Sequence, residues 1–239
     1  MGVIVEVEDR KNYCKRPKMA NLTQLVFVLS LKMPKPDLLL LDKQLAYANY
    51  LRINSVICIN KIDLDRKEKL EEIKSIYEKI GYLVLTTNAK EEEGIENLKQ
   101  ILKGQVTAFA GNSGVGKSTL LNALLQEKKT QEGAISKKNK KGKNTTTAVT
   151  LYPIEEGYIA DTPGFSTFSI EEIPSIELSH YYADFIAYLP SCEFVGCSHI
   201  KEENCGIKKA VEEGKISKVR YQNYCKIYEE LKEKEAHRW

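Results

Sequence analysis

A glycine-rich segment at residues 111–118 reads GNSGVGKS and matches G-x-x-x-x-G-K-[ST], a pattern that binds nucleotide phosphates. An apolar stretch precedes it and a helical pattern over residues 119–126 follows it, as the motif requires. Glycines allow backbone N–H groups to face the phosphates, and the start of the following helix adds partial positive charge. We expect Lys117 to reach the β- and γ-phosphates and Ser118 to bind Mg²⁺ through its hydroxyl. The candidate nucleotide contacts in this segment are Gly111, Asn112, Ser113, Gly114, Val115, Gly116, Lys117, Ser118 and Thr119.

Two segments downstream contain residue types that complement a phosphate-binding loop. The segment DTPG starts at Asp161, after an apolar stretch, and ends at Gly164. A carboxylate in that place is suited to hold Mg²⁺ through water, and the Gly164 N–H can contact the γ-phosphate. Three threonines at residues 145–147 end a lysine-dense segment, and a threonine there can sense the nucleotide state. We favour Thr146 for this role, while the choice among the three and a plain strand start remain open.

The segment NKID ends an apolar stretch, SVICIN, and can recognise guanine. The Asp63 carboxylate can accept hydrogen bonds from the N1–H and the 2-amino group of guanine, a donor pair that adenine lacks. Asn60 can bond the edge of the base, and the stem of Lys61 can pack on the ring. Asn88 and Ala89 end the next apolar stretch, where the backbone N–H of a small residue would meet the guanine oxygen. An ordinary Asx turn at Asn88 is the alternative.

Three cysteines and one histidine lie within fourteen residues near the C-terminus, at Cys192, Cys197, His199 and Cys205. Three thiolates and an imidazole are a common tetrahedral set for structural Zn²⁺, and four protein ligands leave no position for a catalytic water. Buried free cysteines beside a surface histidine are the alternative. The crowding of three of the six cysteines indicates a local metal site in a reducing, cytosolic compartment rather than a disulfide framework.

Strand and helix patterns alternate through the middle of the chain, which predicts a mostly parallel, doubly wound α/β sheet. The expected strands are residues 25–30, 55–60, 82–86, 105–110, 148–153 and 158–161, and the expected helices are 37–53, 66–80, 94–102 and 119–126. After about residue 174 the pattern becomes helical. Alternating apolar residues at 3–8 predict an isolated strand followed by a basic linker, and residues 127–144 predict a long polar loop.

The overall charge and hydropathy limit the functions that are open to this chain. Lys and Arg number 36 against 33 Asp and Glu, a net charge of +3, so attraction to nucleic acid must come from local clusters. One such cluster is residues 128–143, which contain seven lysines and one glutamate. Contact with RNA phosphates and a plain solvated loop are both open for it. No run of about 18 apolar residues occurs, so we expect no membrane span.

The motifs run in the chain order NKID, NAK, phosphate loop, TTT and DTPG, whereas an unpermuted GTPase begins with its phosphate loop. This order, with GNSGVGKSTLLNAL and the cysteine–histidine cluster, resembles the circularly permuted ribosome-assembly GTPases of the RsgA (YjeQ/YloQ) family. The resemblance implies a Rossmann-like, three-layer α/β P-loop GTPase fold with a small C-terminal zinc-binding helical subdomain. The implied domains are a remnant of an N-terminal OB-fold with its linker at 1–18, the permuted GTPase domain at 19–175 and the zinc subdomain at 176–239.

The resemblance also implies an activity and a set of partners. A protein of this family hydrolyses GTP to GDP and phosphate with Mg²⁺, and it acts late in the maturation of the small (30S) ribosomal subunit, which stimulates hydrolysis. The implied partners are GTP or GDP and the small subunit with its rRNA. We accordingly expect a cytoplasmic monomer that contains structural Zn²⁺.

The sequence departs from the family pattern in ways that bear on function. We expect residues 1–18 to be all that remains of the OB-fold, which puts RNA contacts through that domain in doubt. Asn144 stands where the family has a histidine, and Phe165 stands where Ras-like GTPases have a water-orienting glutamine. Asn88 stands in place of a serine, although the backbone contact of Ala89 can persist. Asn144 and Phe165 together predict slow intrinsic turnover and leave open an alternative, a GTP-binding, rRNA-binding assembly factor with negligible hydrolysis.

Overall fold

A computed structural model of the chain describes residues 5–7, 9–15, 18–64, 67–131, 149–161 and 170–237, without the side chains of 126–131. The strands are β1 (Tyr13–Cys14), β2 (Met19–Ala20), β3 (Gln24–Ser30), β4 (Asn54–Asn60), β5 (Leu83–Thr87), β6 (Val106–Ala110), β7 (Thr150–Ile154) and β8 (Gly157–Asp161). The helices are α1 (Leu38–Tyr50), α2 (Lys67–Glu78), α3 (Ile95–Leu102), α4 (Lys117–Gln131), α5 (Gly206–Glu212) and α6 (Lys218–Ala236). Short 3₁₀ helices lie at Ile62–Leu64, Ser175–Tyr181 and Leu189–Ser191. Among these described helices, none has the length and apolar character that a membrane span requires.

Six of the strands form one sheet in the order β5-β4-β3-β6-β8-β7. The first five run parallel, and β7 pairs antiparallel with β8 at one edge. The expected mostly parallel sheet is therefore confirmed. Parallel strands bring their carboxyl ends to one edge of a sheet. The residues that follow β4, β5, β6 and β8, which include all the predicted nucleotide motifs within the described residues, consequently meet at that edge.

Helices cover both faces of this sheet, which gives the predicted three-layer architecture. Strand β3 is buried along its whole length, and its side chains alternate between the two faces. Leu25 and Phe27 pack in the same apolar cluster as residues of α1, whereas Val26 and Val28 pack with residues of α3 and α4. A sheet that is covered on both sides needs such a continuous apolar strand.

The C-terminal segment shares the core on the α1 side of the sheet. Leu178 of a 3₁₀ helix and Tyr224 of α6 belong to the same cluster of buried apolar side chains as Leu41 and Leu45 of α1. The ligand candidates Cys197 and Cys205 are also members of that cluster. The zinc-binding segment thus packs directly against the nucleotide-binding core, and the division at residues 175 and 176 remains a prediction.

The N-terminal region differs from its prediction. Val5 and Val7 lie outside any strand and are 95% and 85% exposed, so the expected strand is wrong for the residues described there. A lone strand has no partner to complete its hydrogen bonds or to cover its apolar face. The expected linker instead contributes β1 to a small hairpin, whose second strand β2 begins at residue 19, and Cys14 and Met19 of this hairpin are buried in the main core.

Helix α4 continues beyond its predicted end. The helix includes residues 127–131, which were expected to belong to a polar loop, because lysine, glutamine and glutamate are good helix formers even without apolar periodicity. The remainder of the lysine-dense segment, residues 132–143, lies outside the described residues. The same is true of four singled-out positions, Asn144, Thr146, Gly164 and Phe165.

Candidate functional site

The phosphate-binding segment connects the end of β6 with the start of α4. Gly111 has a φ of 137°, and a Cβ at this position would lie 2.2 Å from the carbonyl oxygen of Val28, so only glycine fits. The Lys117 ammonium donates hydrogen bonds to the carbonyl oxygens of Gly111 at 2.6 Å and Asn112 at 2.8 Å. Burial lowers the pKa of Lys117. The loop therefore curves around the end of the lysine, where a cation can meet phosphate oxygens.

The candidate Mg²⁺ ligands lie on neighbouring elements at the same sheet edge. Ser118 and Thr119 are exposed in the first turn of α4. Asp161 is the exposed last residue of β8, the strand that pairs with β6. A hydroxyl and a carboxylate are the hard oxygen donors that Mg²⁺ prefers, so the donor set fits this ion. The N-terminus of α4 adds a partial positive charge that favours phosphate.

The side chain of Asn60 joins three loops of the site. Its Nδ2 donates to the carbonyl oxygen of Val115 at 3.0 Å. Its Oδ1 accepts from the Thr87 hydroxyl at 3.0 Å and from the Ala89 N–H at 3.2 Å. Asn60 is buried, and a buried polar group that loses its partner is costly. The residue predicted to bond the base edge is therefore also a bridge between the guanine motif and the phosphate loop.

Lys61 forms a second bridge between these two motifs. Its Nζ donates to the carbonyl oxygens of Gly114 at 2.6 Å and Met33 at 2.7 Å. The backbone of Lys61 has a φ of 62°, in the left-handed region that few non-glycine residues adopt. The two hydrogen bonds hold the lysine stem along the side of the site, as its predicted packing on the guanine ring requires.

A cavity of about 220 Å³ lies between these motifs. Its lining includes seven predicted nucleotide contacts, Asn60, Lys61, Asp63, Asn88, Ala89, Gly116 and Thr119. The Asp63 side chain is exposed, so its carboxylate is accessible to a base. Met33, Leu64 and Lys90 also line the cavity, and of these Met33 and Leu64 were not predicted from the sequence. Met33 lies in the loop between β3 and α1, which contains no nucleotide motif that could have indicated it.

The loop after β5 forms the Asx turn that was the alternative prediction for Asn88. The Asn88 Oδ1 accepts a hydrogen bond from the Lys90 N–H at 3.3 Å, which is an Asx turn. The same loop lines the cavity between the motifs. The Ala89 N–H, which was predicted to meet the guanine oxygen, donates to Asn60 Oδ1. In this structure the Ala89 N–H is bonded to the residue that bridges the motifs, and its contact with the guanine oxygen stays a prediction.

The cysteine–histidine cluster has the geometry of a tetrahedral metal site. The ligand atoms of Cys192, Cys197, His199 and Cys205 all lie within 4.8 Å of one another. Cys192 Sγ and Cys205 Sγ are 4.0 Å apart, and His199 Nδ1 is 3.5 Å and 3.3 Å from these two sulfurs. Tetrahedral Zn²⁺ with Zn–S bonds of about 2.3 Å places its sulfurs roughly 3.8 Å apart, so the four groups fit zinc.

The surroundings of the cluster hold its loop in place. The Tyr221 hydroxyl donates to the His199 carbonyl oxygen at 2.8 Å, and the Tyr224 hydroxyl donates to the Ser198 carbonyl oxygen at 3.0 Å. Burial raises the pKa of the Cys197 thiol to about 12 and lowers the pKa of His199. The bare thiol is thus protonated at neutral pH, and a bound cation such as Zn²⁺ would supply the charge that stabilises a thiolate. Partial burial raises the pKa of Glu202, but hydrogen bonds from Ser198 outweigh this effect and bring that pKa to about 2.

Comparisons of the sequence agree with these features. The RsgA GTPase family matches residues 7–171 of the chain. A small ribosomal subunit biogenesis GTPase RsgA from Agathobacter rectalis is 42% identical over 238 residues, which cover 99% of this chain and 79% of that protein. A protein of the same name from Caldanaerobacter subterraneus is 40% identical over 239 residues, which cover 100% of this chain and 81% of that protein.

Solved structures give the same result for the fold. The crystal structure of YjeQ from Thermotoga maritima has a TM-score of 0.81 at 39% identity, covering 95% of this chain and 77% of that one. YloQ, described as a circularly permuted GTPase, has a TM-score of 0.80 at 31% identity, covering 96% of this chain and 75% of that one. The predicted circularly permuted GTPase fold is confirmed. With its order of motifs, its fold and its similarity over nearly its whole length, this chain belongs to the RsgA GTPase family.

Proposed function

We propose that this protein hydrolyses GTP as a late assembly factor of the small ribosomal subunit, and that the subunit stimulates hydrolysis. The observation that carries the proposal is the Asn60 bridge, which unites the guanine motif and the phosphate loop around one cavity. The two relatives from Agathobacter rectalis and Caldanaerobacter subterraneus are named small ribosomal subunit biogenesis GTPases. A related protein with an intact nucleotide site is expected to act on the same class of particle.

Each predicted residue has a role in this proposal. Asp63 recognises the base, and Lys117 neutralises charge on the β- and γ-phosphates. Ser118 would hold Mg²⁺ through its hydroxyl, and Asp161 would hold it through water. When bound, Mg²⁺ would neutralise negative charge on the phosphates. Thr146 would sense the γ-phosphate, and the Gly164 N–H would donate to it. The sequence motifs support both of these roles.

We further propose a structural role for zinc and a simple assembly state. Zn²⁺ would be held by the Cys₃His set and would contribute no chemistry, since four protein ligands leave it no open position. The protein would act as a monomer in the cytoplasm, with its zinc subdomain at 176–239 and GTPase domain at 19–175. Sedimentation of the purified chain tests the monomer, with a stable dimer as the contradicting result.

Hydrolysis in single turnover, with and without purified small ribosomal subunits, tests the proposed function. Asn144 and Phe165 offer no obvious group to orient the attacking water, so intrinsic turnover should be slow. Small subunits should accelerate it at least about tenfold, a threshold well below the roughly 10³- to 10⁵-fold stimulation that an arginine finger gives. Large ribosomal subunits serve as the particle control, and Lys117→Ala serves as the catalytic control.

The outcomes distinguish the two candidate functions. Stimulation that is specific for small subunits and absent in Lys117→Ala supports the subunit-dependent GTPase. Tight, GTP-dependent binding to small subunits without hydrolysis supports instead the assembly factor that uses GTP only as an occupancy signal. A chain that neither binds small subunits nor responds to them contradicts both.

A further inference from the structure

The two carboxylate oxygens of Asp37 bond to different elements. Asp37 precedes α1 as its N-cap, and its Oδ1 accepts a hydrogen bond from the Leu40 N–H at 2.9 Å. Its Oδ2 accepts a hydrogen bond from Asn112 Nδ2 at 3.2 Å. Asn112 belongs to the phosphate loop. One side chain outside every nucleotide motif therefore connects the start of α1 with that loop, 75 residues away in the chain.

Asn112 is held from two directions. Its side chain donates to Asp37, and its carbonyl oxygen accepts a hydrogen bond from Lys117 Nζ at 2.8 Å. Behind it, Leu40 and Gln44 of α1 face the loop across a cavity of only about 10 Å³. Helix α1 is consequently packed against the back of the phosphate loop, and a shift of the helix would move Asn112 and the carbonyl oxygen that holds Lys117.

A buried ionic cluster fixes the other side of the same helix. Asp42 of α1 pairs with Arg220 of α6 and accepts a hydrogen bond from Asn223 Nδ2 at 2.7 Å. Arg220 also makes two hydrogen bonds to Asp184, at 2.9 Å and 2.7 Å. The side chains of Arg220, Asp42 and Asp184 are all buried. A buried ion pair tolerates little displacement, because separating the charges leaves each one without compensation.

We propose that Asp37 is a positioning residue for nucleotide binding, which holds the phosphate loop through Asn112, and that the Arg220 cluster fixes the helix on which Asp37 acts. The C-terminal subdomain thereby sets the geometry of the phosphate loop. This inference rests on the proposed GTP-binding function and adds a residue and a direction of control to it. A purely structural role for Asp37 as a helix cap is the competing explanation.

A pair of substitutions separates the two explanations. Asp37→Ser keeps a good N-cap oxygen but lacks the second oxygen that reaches Asn112. Asn112→Ala removes the same hydrogen bond from the other side. Each should weaken GDP binding about three- to tenfold by calorimetry, which corresponds to the net value of one ordinary hydrogen bond, while the melting temperature changes little. The double variant should bind GDP no more weakly than the single variant that has the lower GDP affinity, because the two substitutions remove the same interaction.

Asp184→Asn tests the part of the proposal that concerns the cluster. It removes one carboxylate and leaves the pair of Arg220 with Asp42. We expect weaker GDP binding in the wild-type background and little further loss in the Asp37→Ser background. If Asp184→Asn does not fold, Glu230→Gln replaces it, since Glu230 pairs with Lys43 of α1 from α6. Glu71→Gln, which removes an exposed ion pair on α2, is the control and should leave affinity unchanged.

Two results would overturn the positioning role of Asp37. One is an unchanged GDP affinity in Asp37→Ser. The other is a double variant in which the losses of GDP affinity caused by Asp37→Ser and Asn112→Ala multiply. Lower stability with unchanged affinity in the Asp184 or Glu230 variant would overturn the control by the C-terminal subdomain. The nucleotide preference of the wild-type chain tests the proposed function separately from this inference. A wild type that does not bind GDP more tightly than ADP contradicts the proposed function itself, whereas guanine-selective binding that no variant alters contradicts only the inference.

Discussion

The amide nitrogen of Asn60 lies 3.0 Å from the carbonyl oxygen of Val115, which joins the guanine motif to the phosphate loop across 55 residues of chain. Next to Val115, Gly116 packs so closely on the same amide that a Cβ there would lie 2.2 Å from Asn60 Nδ2. The motifs predicted to recognise the base and to bind the phosphates are thus joined in one hydrogen-bonded unit.

Gly116→Ala should break this unit. The substitution adds the collision with Asn60 to the strain of a φ of 103°, so we expect GTP affinity to fall at least about tenfold in a calorimetric titration. Gly81→Ala is a matched control, since Gly81 has a φ of 92° with nothing within 4 Å of the added Cβ. It should cost about 1 kcal/mol of stability and no affinity. Equal affinity of the two variants would show that the contact with Asn60 is not needed.

Asp63→Asn should change the preferred base. The carboxylate accepts two hydrogen bonds from guanine, whereas an amide accepts from N1–H and donates to the 2-oxo group of xanthine. We expect GTP binding to weaken by about 100-fold and XTP binding to strengthen, as measured by competition for one labelled nucleotide. Glu68→Gln, an exposed neutralisation on α2, controls for the lost charge. Equal loss of both nucleotides would contradict base recognition by Asp63.

Metal removal should unfold the C-terminal subdomain. The purified chain should contain about one zinc per molecule by elemental analysis, and Cys197→Ser should lower that content. Because Cys197 and Cys205 lie in the core shared with α1, loss of the metal should also reduce the melting temperature of the whole chain. Cys225→Ser, on α6 and outside the ligand set, should retain zinc. A chain that melts at the same temperature after chelation would contradict a structural role for the metal.

Asp42 should make stability depend on pH in a defined direction. Burial raises the pKa of Asp42 from 3.8 to about 6, and Arg220 offsets this only in part because it is shared with Asp184. The folded chain therefore keeps this proton at higher pH than the unfolded chain does. The resulting stabilisation is full below about pH 4 and is lost as the pH rises through about 6.

Comparison with Asp42→Asn isolates this titration. The free energy of unfolding of the wild type should fall relative to that of the variant by about 3 kcal/mol between about pH 4 and pH 7. Urea unfolding at several pH values measures this difference, and the protonation of other groups affects both proteins alike. A difference that stays constant across the range would contradict the raised pKa.

Much of the candidate site follows from the sequence, because its motifs are short and their chemistry is local. GNSGVGKS specifies a phosphate loop through its glycines and its lysine, wherever the loop lies in a chain. The strand patterns also predicted the mostly parallel sheet correctly, and the motifs meet because parallel strands end at one edge of such a sheet. The errors fell where no such rule applies. Val5 and Val7 alternate as in a strand but have no partner, and α4 continues through lysines that carry no apolar period.

By itself the sequence determined the family, the order of the motifs and the four candidate zinc ligands, because each depends on residue types at fixed spacings. Only the tertiary structure decided how these parts are joined. Arg220 and Asp42 are 178 residues apart, and no periodicity relates two charges that meet across a core. Met33 and Asp37 become part of the nucleotide site only because the loop after β3 is folded beside the phosphate loop. Contacts between residues far apart in the chain therefore determine how the C-terminal subdomain and the nucleotide site are joined. The spacing of residues within a motif does not predict such contacts.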